Sequence, residues 1–276
     1  MQKQITPAEN GNFEMVLHAA MELPGVKINR TRFLRKELSK YFDEDVVKRA
    51  IETNPAQAGL SIESLEKIAK ACIDSETAKA TAMSAAAGIP GGLAMLATVP
   101  LDIAQFFGCV IRVLQKLVYL YGWQEMFHGD EDGLDDEMFN QLILFIGVMF
   151  GVNAANAAIA RIADAAAIKM EKALVQKALM KGAIYPAVKQ VAKLIGVEMT
   201  KQIFAKGVGK TIPVVGAVVS GGITFLGFRP MAKRLQKHLI ALPMASVDFY
   251  RKSYDNDEAV IDIDFSDIIV EDVDGF

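Results

Sequence analysis

Residues 207–211 read Gly-Val-Gly-Lys-Thr and resemble the end of a nucleotide-binding phosphate loop. Such a loop needs a further glycine five positions before the second one, and Phe204 occupies that place. It should also follow a buried strand and open a helix, whereas residues 186–206 have helical periodicity and Pro213 closely follows the motif. The sequence therefore predicts no nucleotide site here. We interpret the motif as a hinge between a basic helix and an apolar segment.

The acidic stretch 128–137 invites comparison with a calcium-binding loop, which uses carboxylate oxygens at fixed positions. With Gly133 as the sixth loop residue, the first would be His128 and the twelfth Phe139, and neither supplies a carboxylate. We interpret the stretch as a solvated loop whose last acids favour the N-terminus of the next helix.

Metal and nucleophile motifs are also absent from the sequence. The histidines, His18, His128 and His238, are far apart, and none belongs to an HExxH motif. The cysteines, Cys72 and Cys109, form no CxxC pair, and there is no GxSxG sequence. We therefore assign no catalytic residue, metal ligand or cofactor, and the sequence favours a non-enzymatic role.

A narrow polar stripe runs along the apolar segment from Leu101 to Tyr121. Its members recur at alternating spacings of 3 and 4, which places them on one face of a helix. They are Asp102, Gln105, Cys109, Arg112, Lys116 and Tyr119. The stripe lines a ligand cleft, faces solvent, or forms a structural network of ion pairs, because buried charges must be paired. Arg161 and Asp164 are candidate members of the same site.

Residues 161–206 carry nine basic side chains, several of them one helical turn apart. Next to apolar segments, such a helix can adsorb on anionic lipid, although a solvated face has the same pattern. The candidate membrane contacts are Lys189, Lys193, Lys201, Lys206 and Lys210. Nucleic acid is disfavoured as a partner because aromatic residues do not interleave with the lysines.

The elements that must position these residues are helices. The chain has 276 residues, of which 52% are hydrophobic, and it is rich in alanine and methionine. Three stretches contain no charge: residues 80–101, 138–160 and 211–228. Each is long enough to cross a bilayer, yet each contains Pro, Gly or Asn interruptions. Buried core or membrane-surface hairpins are therefore favoured over true spans.

Small residues recur within these stretches. Gly147 and Gly151 are four residues apart, with Ala155 next, and Ala217 and Gly221 repeat the spacing. Such spacing lets helix backbones approach closely. The sequence thus predicts an all-α fold, a compact multi-helix bundle with glycine-rich apolar helical hairpins.

Charge divides the chain. Nine of its 33 acidic residues lie in 255–276, which lacks Lys and Arg, so residues 1–254 hold 24 acids against 30 bases. We predict an N-terminal helical module (1–58), an apolar helical core (59–254) and an acidic tail (255–276). The polar first residues and the lack of paired cysteines predict a cytoplasmic protein, which could be peripheral at the inner face of the membrane.

Residues 85–123 resemble the core signature of the EcsC protein family. The matching features are the bend Gly88 to Gly92, Pro100 with Asp102, and Tyr121-Gly122. A second signature matches Ile212-Pro213 and the small-residue run that follows. The resemblance implies a bacterial protein associated with membrane processes, in a family named after an operon that encodes a transporter. It implies no established activity and no catalytic residues.

From these features we expect a non-enzymatic bacterial accessory protein at the membrane surface or on a membrane partner, linked to transport. Anionic lipid or a membrane protein is the expected partner. One alternative is an enzyme or carrier for an apolar or lipid-like molecule in a cleft lined by Asp102, Arg112 and Tyr119. Another is a soluble scaffold that binds partners through the acidic tail.

Overall fold

The structure is a computed structural model that describes residues 8–87, 101–127, 136–167, 184–208 and 213–255. Within these ranges it describes the side chains of residues 13–82, 101, 103–127, 136–166, 184–196 and 227–252. Ten α-helices and no strand occur in the described ranges, which confirms the all-α prediction. The helices are α1 (Ala8–Met21), α2 (Arg30–Leu38), α3 (Glu44–Glu52), α4 (Ile62–Ala87), α5 (Leu101–Leu120), α6 (Asp136–Phe150), α7 (Asn153–Ala167), α8 (Tyr185–Val208), α9 (Pro213–Ile240) and α10 (Val247–Asp255).

The helix ends follow from local sequence. The N-cap residue of α2, Asn29, accepts a hydrogen bond from the backbone N–H of Arg32 at 2.8 Å. Helix α5 ends at Leu120; two residues later Gly122 has a φ of 99°, which is costly for a residue with a side chain, and the N–H of Trp123 bonds the carbonyl of Val118 at 3.0 Å. The first cap fixes where the chain enters α2, and the second fixes where it leaves α5.

The core is built around three long helices. Helix α4 packs on α5 and α9, and α9 also packs on α5 and α6. One continuous hydrophobic cluster extends from Phe13 in α1 to Ala245 in the short 3-10 turn after α9. Helices α1 and α2, which the sequence places in the N-terminal module, pack on α5 and contribute to this same cluster.

The charge-free stretch 138–160 forms a helical hairpin rather than one long segment. Helix α6 ends at Phe150, Gly151 follows with a φ of 81°, and α7 begins at Asn153 and packs back on α6. Positions 142–149 of α6 are all buried. The stretch is therefore two core helices joined by a glycine turn.

Helix α6 also crosses α8 very closely at Gly147. A Cβ atom on that glycine would lie 2.6 Å from a methyl group of Val191 in α8 and 2.8 Å from the Cβ of Ala155 in α7. Real Cβ atoms do not approach other atoms this closely. Hydrogen at this position is what lets the three helices meet.

The other two charge-free stretches are described in part. Residues 88–100 lie outside the described residues, and residues 213–228, predicted as a hairpin, form the first part of the continuous helix α9. Pro213 is the first residue of that helix, where proline is well tolerated. Among the described residues, only the segment Ile103–Leu120 is long and apolar enough to cross a membrane, and 72% of it is buried inside the protein. A core helix of a soluble protein passes the same test, so this is weak support for a span.

Two arginines from distant parts of the chain cap helix C-termini. Arg30 is buried and donates to the carbonyls of Ile51 at 2.8 Å and Thr53 at 3.0 Å, at the end of α3, and to that of Trp123 at 3.0 Å. Arg234 of α9 donates to the carbonyl of Met149 near the end of α6. Both place positive charge where the helix dipole is negative, and Arg30 thereby joins α3 to the end of α5.

Candidate functional site

The polar stripe of α5 divides between two partners. Tyr119, near the C-terminal end, contacts the segment between α1 and α2, and the central residues Arg112 and Lys116 contact α4. The spacing of Arg112, Lys116 and Tyr119 places them on one side of the helix. They do not share a partner, because Arg112 and Lys116 contact Glu76 and Tyr119 does not.

Gln115, which the spacing argument omits, makes the firmest contact with the segment between α1 and α2. Its amide nitrogen donates to the carbonyl of Val26 at 2.7 Å, and its amide oxygen accepts from the N–H of Ile28 at 2.7 Å. The side chain is fully buried. It thus replaces the backbone pairing that this irregular segment lacks.

Tyr119 completes the attachment of the same segment. Its hydroxyl lies 3.2 Å from the carbonyl of Ile28 and 3.2 Å from a carboxylate oxygen of Glu125, and it accepts from the N–H of Met126 at 3.2 Å. Burial raises the pKa of Tyr119 above its usual value; the Met126 N–H opposes this and Glu125 adds to it. The phenol therefore stays protonated and serves as a hydrogen-bonding anchor.

The central part of the stripe surrounds Glu76 of α4. The carboxylate oxygen Oε1 accepts from Lys116 at 2.6 Å, from Lys79 at 3.0 Å and from Nη2 of Arg112 at 3.2 Å. Nε of Arg112 lies 3.1 Å from the other oxygen, Oε2, without the alignment of a hydrogen bond. Three cations thus meet one carboxylate whose side chain is completely buried.

Glu76 is ionised in this setting. Burial raises the pKa of its carboxyl group, but the hydrogen bond and charge of Lys116, the hydrogen bond of Lys79 and the charge of Arg112 together lower it below the usual value. A buried carboxylate needs such pairing. We name the set Glu76, Lys79, Arg112 and Lys116 the Glu76 cluster.

The remaining members of the predicted site are Asp102, Gln105, Arg161 and Asp164. Gln105 is half-buried on α5, and the side chain of Asp102 lies outside the described part. Arg161 and Asp164 are exposed on α7, which packs on α6 and α8. The acid that pairs with the stripe is therefore Glu76 and not Asp164.

Glu76 and Lys79 were missed by sequence reasoning, although one signal pointed to them. The apolar stripe of α4 contains Leu65, Ala69 and Cys72, and its next position at helical spacing is Glu76. An acid on a buried stripe requires a cation on the facing helix. The spacing indicates the face of α4, but it cannot say which helix faces it.

Four of the five candidate membrane-contact lysines, all except Lys210, belong to α8, and residues 185–196 of that helix are buried on one side. Lys189 and Lys193 are exposed, as are Tyr185 and Leu194, with 47% and 50% of their surface accessible. The ammonium group of Lys189 lies 4.6 Å from the centre of the Tyr185 ring. Val191 anchors the buried side at the α6 crossing. We name the exposed set Tyr185, Lys189, Lys193 and Leu194 the α8 face.

Acids are lacking on the α8 face. Residues 184–196 contain no Asp or Glu, and neither lysine forms an ion pair with a described side chain. The side chains of Lys201 and Lys206 and all of Lys210 lie outside the described part. The described face is therefore positively charged, with an aromatic and an aliphatic side chain next to its lysines.

Two of the three histidines, His18 and His238, lie among the described residues. His18 stacks on Phe139 with ring centres 4.7 Å apart, and His238 is half-buried on α9. In the part of the chain that the structure describes, no three His, Cys, Asp or Glu side chains are grouped as metal ligands would be. The calcium-like loop 128–135 and residues 209–211 of the phosphate-loop motif fall outside it.

Comparison of the chain with protein-family models, curated proteins and solved structures finds no match in any of the three. The EcsC-like resemblance stays a prediction.

Proposed function

We propose that the protein is a non-enzymatic accessory protein that binds the surface of an anionic membrane through the α8 face. The observation that carries the proposal is that Lys189 and Lys193 are exposed together with Tyr185 and Leu194, and that residues 184–196 contain no acid. A face of this kind suits the boundary between lipid headgroups and water, where tyrosine is enriched.

The strength of such binding can be estimated. Each lysine near an anionic surface contributes about 1 kcal/mol, so Lys189 and Lys193 together contribute about 2 kcal/mol. Reversible adsorption needs more, and burial of apolar area from Tyr185 and Leu194 supplies a second contribution. Lys201, Lys206 and Lys210 remain predicted additional contacts. The proposal is thus a peripheral, salt-sensitive association.

The way α8 is held also supports this role. Its buried side packs on α1, α6 and α7, and the close crossing at Gly147 fixes its position. An exposed face on a fixed helix presents its lysines without further ordering. The EcsC-like resemblance of residues 85–123 implies association with membrane processes, and so it agrees with the proposal.

The alternative of an enzyme or carrier cleft on α5 has less support. Of its three lining residues, Arg112 contacts Glu76, and the Tyr119 hydroxyl is engaged by Ile28, Glu125 and Met126. These contacts are within the protein and hold helices and loops together. The scaffold alternative depends on the acidic tail, most of which lies outside the described residues, and it stays a prediction.

Vesicle flotation tests the proposal. Wild-type protein should float with vesicles of phosphatidylcholine and phosphatidylglycerol at low salt, and it should be released by added salt. The double variant Lys189→Gln/Lys193→Gln should bind about 30-fold more weakly, which corresponds to the loss of about 2 kcal/mol. Tyr185→Ala should weaken binding without changing its salt dependence.

The matched control is Lys48→Gln/Lys67→Gln, which removes the same charge from exposed lysines on α3 and α4 that pair with glutamates one turn away. This control should float like the wild type. Wild-type protein that stays in the soluble fraction would refute the proposal. Equal losses of vesicle binding in the two double variants would mean that net charge alone causes the effect.

A further inference from the structure

The Glu76 cluster holds more positive charge than its carboxylate can neutralise. Lys79, Arg112 and Lys116 each contact Glu76, and in the part of the chain that the structure describes no second acid contacts any of them. Three positive charges and one negative charge leave the cluster with a charge of +2. Since Glu76 is fully buried and two of the cations are largely so, water neutralises this excess poorly.

The cations also have hydrogen-bond donors to spare. A lysine ammonium has three N–H groups and a guanidinium has five. Lys79 and Lys116 each direct one hydrogen bond to Glu76, and Arg112 turns only its Nε and Nη2 edge to the carboxylate. The opposite edge of the guanidinium, which includes Nη1, makes no hydrogen bond to a described residue.

The cluster opens to solvent on one side. The exposed fraction of the side chain rises from 16% at Lys116 through 25% at Arg112 to 46% at Lys79, with Glu76 at 0%. The carboxylate therefore forms the floor, and the cations surround it within 3.2 Å. Solvent therefore reaches the cluster most readily at Lys79.

We propose that Lys79, Arg112 and Lys116 bind an oxyanion of the phosphate class at this opening. Such an anion carries up to two negative charges, which matches the excess, and its several oxygens can accept from an arginine fork and two ammonium groups at once. Glu76 then acts as a positioning residue that holds the three cations together. Inorganic phosphate, a phosphate monoester and a phospholipid headgroup share this chemistry.

This site is independent of the proposed membrane contact. It lies between α4 and α5, whereas the α8 face belongs to a helix that packs on α1, α6 and α7. Either activity can therefore fail without the other.

Thermal unfolding in phosphate, compared with chloride at equal ionic strength, tests the proposal. At a phosphate concentration ten times the Kd, the Tm of wild-type protein should rise by about 2–3 °C. Lys79→Gln should lose most of this rise, because the most exposed donor of the site is gone. Arg112→Lys should lose part of it, since the charge remains but the planar fork does not.

The matched control is Lys67→Gln, another exposed lysine of α4 that pairs with a glutamate one turn away. It should keep the full phosphate-dependent rise. No phosphate-specific rise in the wild type, or equal rises in Lys79→Gln and Lys67→Gln, would overturn the proposal. Lys79 is nearly half exposed, so Lys79→Gln should fold, and its phosphate-dependent rise in Tm can be compared with that of the wild type.

The source of the phosphate group is resolved by two further measurements. Native mass spectrometry of purified wild-type protein and Lys79→Gln should show a co-purified phospholipid only in the former if the ligand is a headgroup. Inorganic phosphate that stabilises the protein, with no lipid retained, would assign a soluble ligand. Lys189→Gln/Lys193→Gln should keep the phosphate-dependent rise even where it loses vesicle binding, which separates the two proposals.

Discussion

Two interfaces of this bundle are held together by opposite means. Between α4 and α5, a fully buried carboxylate gathers three cations within 3.2 Å. Where α6 crosses α8, the backbone of Gly147 lies so close to Val191 that a single methyl group would not fit. One interface depends on charge and the other on shape.

The difference bears on what each interface can do. A steric contact is unaffected by salt or moderate pH, and it has one geometry. A charged contact responds to protonation, to salt and to any ligand that changes the local balance. The α6–α8 crossing therefore suits a support for an exposed face, and the α4–α5 interface suits a site that responds to its surroundings.

The largest expected effect is that of Glu76→Gln. The amide keeps the shape but leaves Lys79, Arg112 and Lys116 without a counter-ion, and we expect a loss of about 3 kcal/mol in unfolding free energy. The pKa of Glu76 is lowered in the folded state, so its contribution is present above the ordinary glutamate pKa and is lost as pH falls through the folded-state pKa. The difference between wild type and variant, measured by urea unfolding, should therefore shrink in acid.

Glu63→Gln is the control for this measurement. Glu63 is exposed on the same helix and pairs with Lys67 at 3.1 Å, so its loss should change the free energy by less than about 0.5 kcal/mol. If both variants lost the same small amount, the α4–α5 interface would not depend on its buried carboxylate.

Gly147→Ala should have the second-largest effect. Overpacking costs about 1–3 kcal/mol and the higher helix propensity of alanine returns about 1 kcal/mol, so we expect a net loss of up to about 2 kcal/mol. Unlike the effect of Glu76→Gln, this loss should not vary with salt or between neutral pH and acid. Urea unfolding at two salt concentrations measures both properties.

Two further variants test whether the loss of stability in Gly147→Ala has a steric cause. Gly227→Ala, in α9, adds a methyl group where no atom lies within 4 Å, and it should be neutral or stabilising. Val191→Ala removes the methyl groups that meet position 147, so combining it with Gly147→Ala should cost less than the sum of the two single changes. Additive losses would place the strain elsewhere.

These two regions also differ in how far the sequence predicts them. The spacing of Arg112, Lys116 and Tyr119 predicts a common face on α5, and that is correct. Their partners were not predictable, because Glu76 is 36 residues before Arg112 and periodicity carries no information on which helices meet. Gln115 was passed over because it lies one residue off the stripe, yet it is fully buried.

For the small residues, the sequence predicts close packing but not the role of each position. Gly147, Gly151 and Ala155 share a spacing of four, which predicts one row on one helix. In the structure Gly151 directly follows α6 and has a positive φ, so Gly147 and Ala155 face each other across a hairpin. A glycine that ends a helix and a glycine that packs against one are chemically identical in the sequence.

The reactivity of the two buried cysteines compares how the two interfaces open, and it requires no further substitution. Cys72 and Cys109 are buried on α4 and α5, and burial raises the pKa of each thiol to about 11. At pH 8 the native protein should therefore react very slowly with a thiol reagent, since the reactive thiolate is scarce and shielded. Reaction should proceed only when α4 and α5 separate or the whole protein unfolds.

The two core variants should differ in this reaction. In Gly147→Ala, labelling should follow the global unfolding free energy, because the α4–α5 interface is intact. In Glu76→Gln, labelling should be faster than its global unfolding free energy predicts, since like charges push α4 and α5 apart locally. Labelling rates set by global unfolding in both variants would mean that the charged and steric interfaces open as one cooperative unit. The two interfaces would then differ in the interactions that hold them together but not in how they open.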